Sequence, residues 1–290
     1  MTTARARIVG EVQRIGAYEL TELTPDVGRA VRYALSGEGK CLRGLLVTCT
    51  YQACNGTGDP TPLAAAVEVV HAYSLVHDDL PCMDDDDLRR GQPTVHRAMG
   101  VSAATAAGLT MVPLAARVAF RAARTLGLAP DTCGDIVREL MRASGAGGMI
   151  GGQLLDLEAE GRQLSLSELE RVHRAKTGAL IASAVRIGAL AAGAQAPRID
   201  ALSAFGDALG LAFQIADDVL DLTATSAQLG KTAGRDVALQ KSTYPGVMGV
   251  EGAMSRASAL AQEACRYLDT AGVRTPELES LARYVVERQS

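Results

Sequence analysis

Two groups of aspartates, about 140 positions apart, are the side chains in this sequence best suited to chemistry. Their members are Asp78, Asp79, Asp84, Asp85, Asp86 and Asp87 in the first group, and Asp217, Asp218 and Asp221 in the second. Each group follows an almost wholly apolar stretch, residues 64–76 or 209–216. Such stretches are typical of buried helices. Both groups are therefore predicted to lie near the carboxyl ends of buried helices.

Carboxylates in that position need a compensating cation. They meet the negative pole of the helix dipole, and each close pair repels by roughly 4 kcal/mol at an intermediate dielectric. Ligands that are all oxygen favour a hard ion, and Mg²⁺ typically takes one or two protein carboxylates together with substrate phosphates. The two groups therefore predict a chamber in which metal ions hold a phosphorylated substrate.

The spacing within each group decides which carboxylates can meet. Asp217 and Asp221 are four residues apart, so they share one helix face. Asp78 and Asp84 are six apart and would not share a face on a regular helix. Pro81 lies between them, and the turn that proline imposes can bring Asp84 back toward Asp78. A solvated acidic loop is the alternative for an isolated aspartate run, but the second group argues against it.

The elements that must position these groups are helices. Hydrophobic residues make up 48% of the chain and aromatic residues 3%, with no Trp, so Ala, Leu, Val and Ile build the core and favour helix. No strand-like alternation persists. The sequence predicts one all-α domain over residues 1–290 with roughly ten helices. The signals at predicted helix starts are Thr24-Pro25, Pro62, Asp131, the capping box Ser165 to Glu168, Pro197, Pro245 and Pro276.

Composition also excludes several classes of protein. The net charge of −4 and the scattered basic residues argue against nucleic-acid binding. The six cysteines form no CxxC pair, which is typical of a reducing cytosol, and no signal peptide is evident at the start. Residues 101–116 are uncharged but shorter than the ~20 residues a membrane span needs. They are predicted to form a buried helix of a cytoplasmic protein.

Taken together, the motifs resemble those of the trans-isoprenyl diphosphate synthases, in their short-chain bacterial branch. The matching motifs are DDxxxxD followed by Leu88-Arg89-Arg90-Gly91, Gly151-Gly152-Gln153, Lys176-Thr177, FQxxDDxxD, and Leu229-Gly230-Lys231. The resemblance covers about Arg29 to Arg288. It implies the isoprenoid synthase fold, an orthogonal helix bundle around a central active-site cavity, and a homodimer. It also implies the Mg²⁺-dependent condensation of isopentenyl diphosphate with an allylic diphosphate.

The resemblance further implies a role for each matching residue. Three Mg²⁺ ions would be held by Asp78, Asp79, Asp84, Asp217, Asp218 and Asp221. The allylic diphosphate would contact Arg89, Lys176 and Lys231, and the isopentenyl diphosphate would contact Lys40, Arg43, His71 and Arg90. The carbocation would face Thr177, Gln214 and the carbonyl of Lys176. Gln153 and Lys241 are expected to bind substrate, although Gln153 as a turn cap, His71 as a core residue and both Lys231 and Lys241 as surface residues are alternatives.

Product length is expected to depend on the residues just before the first group. Tyr73 lies five residues before Asp78, which is about 7.5 Å deeper along a helix. In the resembling family an aromatic residue there accompanies farnesyl diphosphate as product, with the small Ser74 beside it. Farnesyl diphosphate is therefore the expected product and geranylgeranyl diphosphate the alternative.

The sequence departs from the family's motifs at two places, and two other functions are alternatives. Cys41 stands where relatives have a basic residue and Gly44 where they have proline. Leu109 follows Gly108 where they have an acidic residue. A terpene cyclase would need no second diphosphate site, so Lys40, Arg43 and Arg90 argue against it. A non-catalytic partner subunit would be expected to have lost one aspartate group, and both are complete here.

Overall fold

The all-α prediction is confirmed by a computed structural model that describes residues 2–224 and 241–288. The α-helices are α1 (Thr2–Tyr18), α2 (Pro25–Ser36), α3 (Leu42–Ala53), α4 (Thr61–Asp78), α5 (Val95–Met99), α6 (Val101–Thr125), α7 (Pro130–Ser144), α8 (Met149–Glu158), α9 (Leu166–His173), α10 (Ala179–Ala191), α11 (Ala196–Thr223), α12 (Tyr244–Ala271) and α13 (Pro276–Glu287). Two elements were not expected from the sequence. One is a short antiparallel hairpin of β1 (Leu88–Arg89) and β2 (Gln92–Pro93), and the other is a π-helical turn, Arg174–Gly178, between α9 and α10.

The apolar helices that precede the two aspartate groups lie in one buried cluster of side chains. α4 is buried on nearly every face, and α11 packs against α10 and α12. Glycines permit close helix crossings where a larger residue would collide. A Cβ at Gly188 in α10 would lie 2.6 Å from the carbonyl oxygen of Val47 in α3. The low aromatic content is thus compensated by close packing of small aliphatic side chains.

The predicted helix starts are confirmed to within a residue or so, with one change of role. Ser165 accepts a hydrogen bond from the backbone N–H of Glu168 and the glutamate reciprocates, which confirms the capping box. Asp131 does not occupy the cap position of α7. Ala129 does, because Pro130 begins the helix, and Asp131 instead faces the positive pole of the dipole from the first turn.

Two helices, α6 and α11, are long and apolar enough to cross a membrane by length and composition alone. In the structure 44% and 56% of their apolar windows are buried against the rest of the protein. Core helices of globular proteins share this composition, so these two helices do not indicate a membrane span. The stretch 101–116 is the first part of α6, which continues through Pro113 to Thr125.

Candidate active site

The ends of α4 and α11 bring both aspartate groups to one cavity of about 280 Å³. Of the residues predicted from the sequence, the cavity is lined by Arg43, His71, Ser74, Asp78, Asp84, Arg89, Gln153, Lys176, Thr177, Gln214, Asp217, Asp218, Asp221 and Lys241. Tyr73, Asp79, Lys40 and Arg90 lie outside this lining, and Lys231 lies outside the described residues. Apolar side chains from α4, α8 and α11, namely Leu75, Met149 and Phe213, also line it.

The turn after α4 returns Asp84 to Asp78, as the proline suggested. The backbone N–H of Asp84 donates to the carbonyl oxygen of Asp78 at 2.8 Å, and that of Met83 donates to Leu80 at 2.9 Å. The two carboxylates therefore face the cavity from the same end of α4 despite their six-residue separation. α4 ends at Asp78 with Asp79 as its C-cap, so the predicted turn at Pro81 is confirmed.

The electrostatics of Asp78 favour a cation in this cavity. Burial raises the pKa of Asp78 to about 6, with Asp84 and Asp79 acting in the same direction and Lys176 and Arg89 opposing them. A carboxyl with this pKa holds its negative charge at a cost near neutral pH, and a cation placed beside it offsets that cost.

Unlike Asp78, Asp79 does not line the cavity and is instead paired with Arg89. Asp79 is only 3% exposed and accepts hydrogen bonds from the Arg89 guanidinium, whose Nε lies 3.1 Å from Oδ1. Arg89 also contacts Asp86 at 3.3 Å. The pKa of Asp79 is raised by burial, which the hydrogen bonds from Arg89 oppose. In this arrangement Asp79 fixes the direction of Arg89, which does line the cavity.

Asp156 is a functional candidate that the sequence reasoning missed. It lies on α8 and accepts hydrogen bonds from Lys176 at 2.7 Å and Lys241 at 2.9 Å. Lys241 also donates to Asp84 at 3.3 Å. Burial disfavours the charge of Asp156, but the two ammonium groups outweigh it and lower its pKa to about 2. It lies three residues after Gln153, one turn along the same helix, but that spacing alone does not mark a functional residue.

The π-helical turn presents Lys176 and Thr177 to the cavity, and two glycines make room for it. A Cβ at Gly152 in α8 would lie 2.1 Å from the backbone nitrogen of Lys176. A Cβ at Gly210 in α11 would lie 2.7 Å from the Cα of Gly178. π-helical turns are rare and occur often at functional sites. Here the extra residue in the turn is accommodated only because both neighbouring helices lack side chains at the crossing.

Behind Thr177 runs a chain of hydrogen bonds. The Thr177 hydroxyl donates to Gln214 Oε1 at 2.7 Å, and Gln214 Nε2 donates to Asp218 Oδ1 at 3.0 Å. The other carboxylate oxygen of Asp218 lies 3.0 Å from His173 Nε2 and accepts the backbone N–H of Tyr244 at 3.0 Å. His173 was not identified from the sequence, although it lies three residues before Lys176.

Asp217 and Asp221 lie on the adjoining face of α11. Asp217 is paired with Arg288, whose guanidinium reaches Oδ1 at 2.6 Å and stacks 3.9 Å above the ring of Phe213. Asp221 is buried and lines the cavity. After Asp156 and His173, Arg288 is thus a third residue at the site that the sequence reasoning did not single out.

Of the four residues expected to bind a second diphosphate, three line one or both of two neighbouring cavities, and Lys40 lines neither. Arg43 and His71 line the main one, and the buried Arg43 Nε and His71 Nδ1 have no hydrogen-bond partner within the described part of the chain. Burial, with Arg43 and Arg90 nearby, lowers the pKa of His71 well below its usual range. Arg90 lines a smaller adjacent cavity and lies 3.1 Å from where a Cβ of Gly39 would be. The pKa of Lys40 is lowered by burial and by Arg288.

The two residues expected to set product length differ in position. Ser74 lines the cavity. Tyr73 is buried, 7% exposed, and its ring meets that of His77 edge-on with 4.8 Å between centroids. The structure therefore brings Ser74 to the cavity wall and leaves Tyr73 behind it.

The donors in the cavity suit an ion that relies on its substrate for ligands. Within residues 2–224 and 241–288, no three acidic, histidine or cysteine side chains are arranged to hold a metal by themselves. The carboxylates of Asp78 at the end of α4, Asp84 in the turn after it and Asp217 on α11 line the same cavity. This donor set is all oxygen and incomplete, which fits Mg²⁺ bound together with phosphate oxygens.

Comparison with known proteins identifies the family. The polyprenyl synthetase family model matches residues 24–273. Farnesyl diphosphate synthase of Escherichia coli (strain K12) is 45% identical over 272 residues, 91% of this chain and 90% of that protein. An apo crystal structure of an FPP/GFPP synthase from Zymomonas mobilis has a TM-score of 0.84 and 34% identity, with 98% of each chain covered.

A further solved structure has ligands in its crystals. It is a geranyltransferase from Helicobacter pylori complexed with magnesium and isoprenyl diphosphate, with a TM-score of 0.79, 28% identity, and coverage of 98% of this chain and 96% of that one. The family model spans most of the chain, and the Escherichia coli relative is 45% identical to it. This chain belongs to the polyprenyl synthetase family.

Proposed function

We propose that this protein is a short-chain prenyltransferase that makes farnesyl diphosphate. It condenses isopentenyl diphosphate head to tail with dimethylallyl and then geranyl diphosphate, with Mg²⁺ as cofactor. The observation that carries the proposal is the meeting of both aspartate groups in one cavity with Lys176, Thr177 and Gln214. The relatives at high identity support the same substrate class.

Asp78, Asp84 and Asp217, with Asp221 nearby, would hold three Mg²⁺ ions. Bound there, the ions would neutralise the diphosphate and stabilise the charge that develops on it as the carbon–oxygen bond breaks. Lys176, Lys241 and Arg89 add positive charge from the protein side and orient the leaving group. Asp156 keeps both lysine side chains directed into the cavity, 2.7 and 2.9 Å from its own carboxylate.

The rest of the cavity serves the allylic cation and its acceptor. The Thr177 oxygen, the Gln214 amide and the apolar wall stabilise the cation and exclude water, which would convert it to an alcohol. Arg43 and His71 would bind the diphosphate of isopentenyl diphosphate. Its double bond attacks the terminal carbon of the cation, a new carbon–carbon bond forms, and a proton is lost to the departed pyrophosphate.

Geranylgeranyl diphosphate is the second candidate product. The position of Tyr73 behind the cavity wall, against His77, favours it, because a ring that leaves the wall does not block a longer chain. The farnesyl diphosphate synthases among the relatives, at 37% and 45% identity, support farnesyl diphosphate.

We also propose that the chain is a single cytoplasmic domain that forms a homodimer through α6. Its surface carries an apolar stripe with Leu109 66% exposed and Phe120 47% exposed. Exposed apolar stripes of this kind are typical of association surfaces.

A product assay tests the function. Purified protein would be incubated with Mg²⁺, isopentenyl diphosphate and dimethylallyl, geranyl or farnesyl diphosphate in turn, and the dephosphorylated products separated by length. Farnesol as the longest product is expected. Geranylgeraniol would keep the transferase and change its product. If protein shown to be folded condenses none of the three primers with isopentenyl diphosphate, the proposal is overturned in favour of a cyclase or a regulatory subunit.

A further inference from the structure

The carboxylate of Asp218 is surrounded by donors from three helices. It is 3% exposed and receives Gln214 Nε2 from its own helix, His173 Nε2 from the end of α9 and the backbone N–H of Tyr244 at the start of α12. A carboxylate has about four lone-pair sites, and three are occupied here by N–H groups. Asp218 can therefore act only as an acceptor, and little of it remains for a metal ion.

This fixes the orientation of the Gln214 side chain. An acceptor-only Asp218 requires the NH₂ group of the Gln214 amide, so Oε1 must point the other way, toward Thr177. Oε1 has no proton to give, so the Thr177 hydroxyl must donate to it at 2.7 Å. The lone pairs of the Thr177 oxygen are then left for the cavity, which Thr177 lines.

His173 and Tyr244 hold the far end of the chain in place. The Nε2 of His173 must carry a proton to bond the carboxylate, and its ring stacks on Tyr244 at 5.7 Å with 24° between planes. The Tyr244 donor is a backbone amide, so its direction cannot reverse. The whole chain therefore has one polarity, from Thr177 through Gln214 to Asp218.

We propose that Asp218 is a positioning residue rather than a direct metal ligand. With His173 and the Tyr244 amide, it sets the direction of the hydrogen-bond chain so that Thr177 presents an acceptor, not a proton, to the allylic cation. The inference rests on the proposed prenyl transfer and assigns a role to His173. A positive charge developing beside an oxygen lone pair is stabilised, whereas the same hydroxyl turned proton-first would oppose it.

The substitution Asp218→Asn reverses the chain. The asparagine oxygen must face the Tyr244 N–H, so its NH₂ faces Gln214, the Gln214 amide flips, and Thr177 becomes the acceptor with its proton toward the cavity. The single-turnover rate of condensation is expected to fall about 100-fold, the scale of losing one oriented dipole in an active site. Geranyl thiolodiphosphate is an analogue that does not release its leaving group to form the cation. Its Mg²⁺-dependent affinity, measured by calorimetry, is expected to stay unchanged.

The double variant D218N/Q214E provides the matched control. It moves the carboxylate four residues along α11 and keeps the net charge, and a glutamate at 214 accepts both from the asparagine NH₂ and from Thr177. The original polarity of Thr177 is restored, so most of the rate is expected to return. In a Thr177→Val background, Asp218→Asn is expected to add no further loss, because the effect acts through that hydroxyl.

The outcomes separate cleanly. Weaker Mg²⁺-dependent binding in Asp218→Asn, with no recovery in D218N/Q214E, would make Asp218 a metal ligand and overturn the inference. Should Asp218→Asn fail to fold, Gln214→Met cuts the same chain and is expected to slow condensation without changing analogue binding; an unchanged rate would overturn the inference. A wild-type protein that does not condense its substrates would instead refute the proposed function.

Discussion

Single residues of the cavity balance negative charge with ammonium groups, and Asp156 is the clearest case. It is the common partner of Lys176 and Lys241, two lysines that come from distant parts of the chain. The pKa of Lys176 is raised by Asp156, Asp78 and Asp84 against the opposing effect of burial. Removing one carboxylate from this set should therefore disturb both the stability and the direction of the lysines.

We expect Asp156→Asn to lower the free energy of unfolding by about 2 kcal/mol at neutral pH, because two charged hydrogen bonds are weakened. Condensation should slow at least tenfold because both lysines lose their direction. Urea unfolding and steady-state kinetics would measure these effects. The matched control is Asp200→Asn, an exposed aspartate on α11. Equal behaviour of the two variants would contradict the role given to Asp156.

The same residue predicts a pH dependence for the substrate-free protein. The pKa of Asp156 is depressed from 3.8 to about 2 in the folded state. Its contribution to stability is therefore fully present above the unfolded value and lost as the pH falls through the folded one. The difference in unfolding free energy between wild type and Asp156→Asn, about 2 kcal/mol at neutral pH, should hold from pH ~7 to ~5 and shrink below pH ~4. A difference that grows on acidification would contradict this.

Sequence spacing was enough to predict which carboxylates meet, because Asp217 and Asp221 share a helix face and Pro81 forces the turn at Asp84. It could not reveal Asp156. A lone aspartate among leucines has no distinctive pattern, and its partner Lys241 is 85 residues away. Nor could it show that Asp79 turns toward Arg89, since neighbouring residues on a helix point in different directions.

At the scale of elements, α4 and α6 make a close contact at His77 and Gly108 that was not predicted from the sequence. His77, directly before Asp78, places its Nε2 3.3 Å from the carbonyl oxygen of Thr105 on α6. A Cβ at Gly108 would lie 2.0 Å from the same Nε2. Glycine at this position therefore lets α4 approach α6 closely enough to fix the residue beside Asp78.

We expect Gly108→Ala to destabilise the protein by about 2 kcal/mol through overpacking, and to alter product length because Tyr73 packs on His77. Thermal unfolding and product analysis would measure both effects. Gly134→Ala in α7 is the control, since nothing lies within 4 Å of its added Cβ. Helix propensity should make that variant more stable by up to about 1 kcal/mol.

A second substitution separates a collision with His77 from a general destabilising effect of alanine in α6. His77→Ala combined with Gly108→Ala removes the ring that the new methyl group would strike. The double variant should be more stable than Gly108→Ala alone. No such recovery would mean that His77 is not the residue for which Gly108 makes room.

Most elements were predictable because their signals are local. The capping box at Ser165 and the prolines at helix starts report on neighbouring residues only. The π-helical turn at Lys176 was not, because it depends on Gly152 and Gly210 in two other helices. The hairpin around Gly91 was missed since two-residue strands have no alternation to detect.

At the scale of the whole molecule, the fold class was predictable from an apolar, Ala-rich and aromatic-poor composition. The proposed dimer is instead argued from the exposed apolar stripe of α6. We expect Phe120→Glu to convert the proposed dimer to a monomer that keeps its helical content, as seen by light scattering and circular dichroism. Tyr18→Glu, at an exposed apolar site on α1, should leave assembly unchanged. A wild-type protein that is monomeric at micromolar concentration would contradict the dimer.

The central claim is that α4 and α11 form one metal-dependent diphosphate site. The most direct test is calorimetric titration of geranyl thiolodiphosphate, an analogue that does not release its leaving group to form the allylic cation. It would be titrated into wild type, Asp78→Asn and Asp217→Asn, each with Mg²⁺ or with a chelator. We predict that the wild type binds only with Mg²⁺ and that each variant loses at least tenfold in affinity. Binding that persists in the chelator, or that neither substitution weakens, would contradict the account.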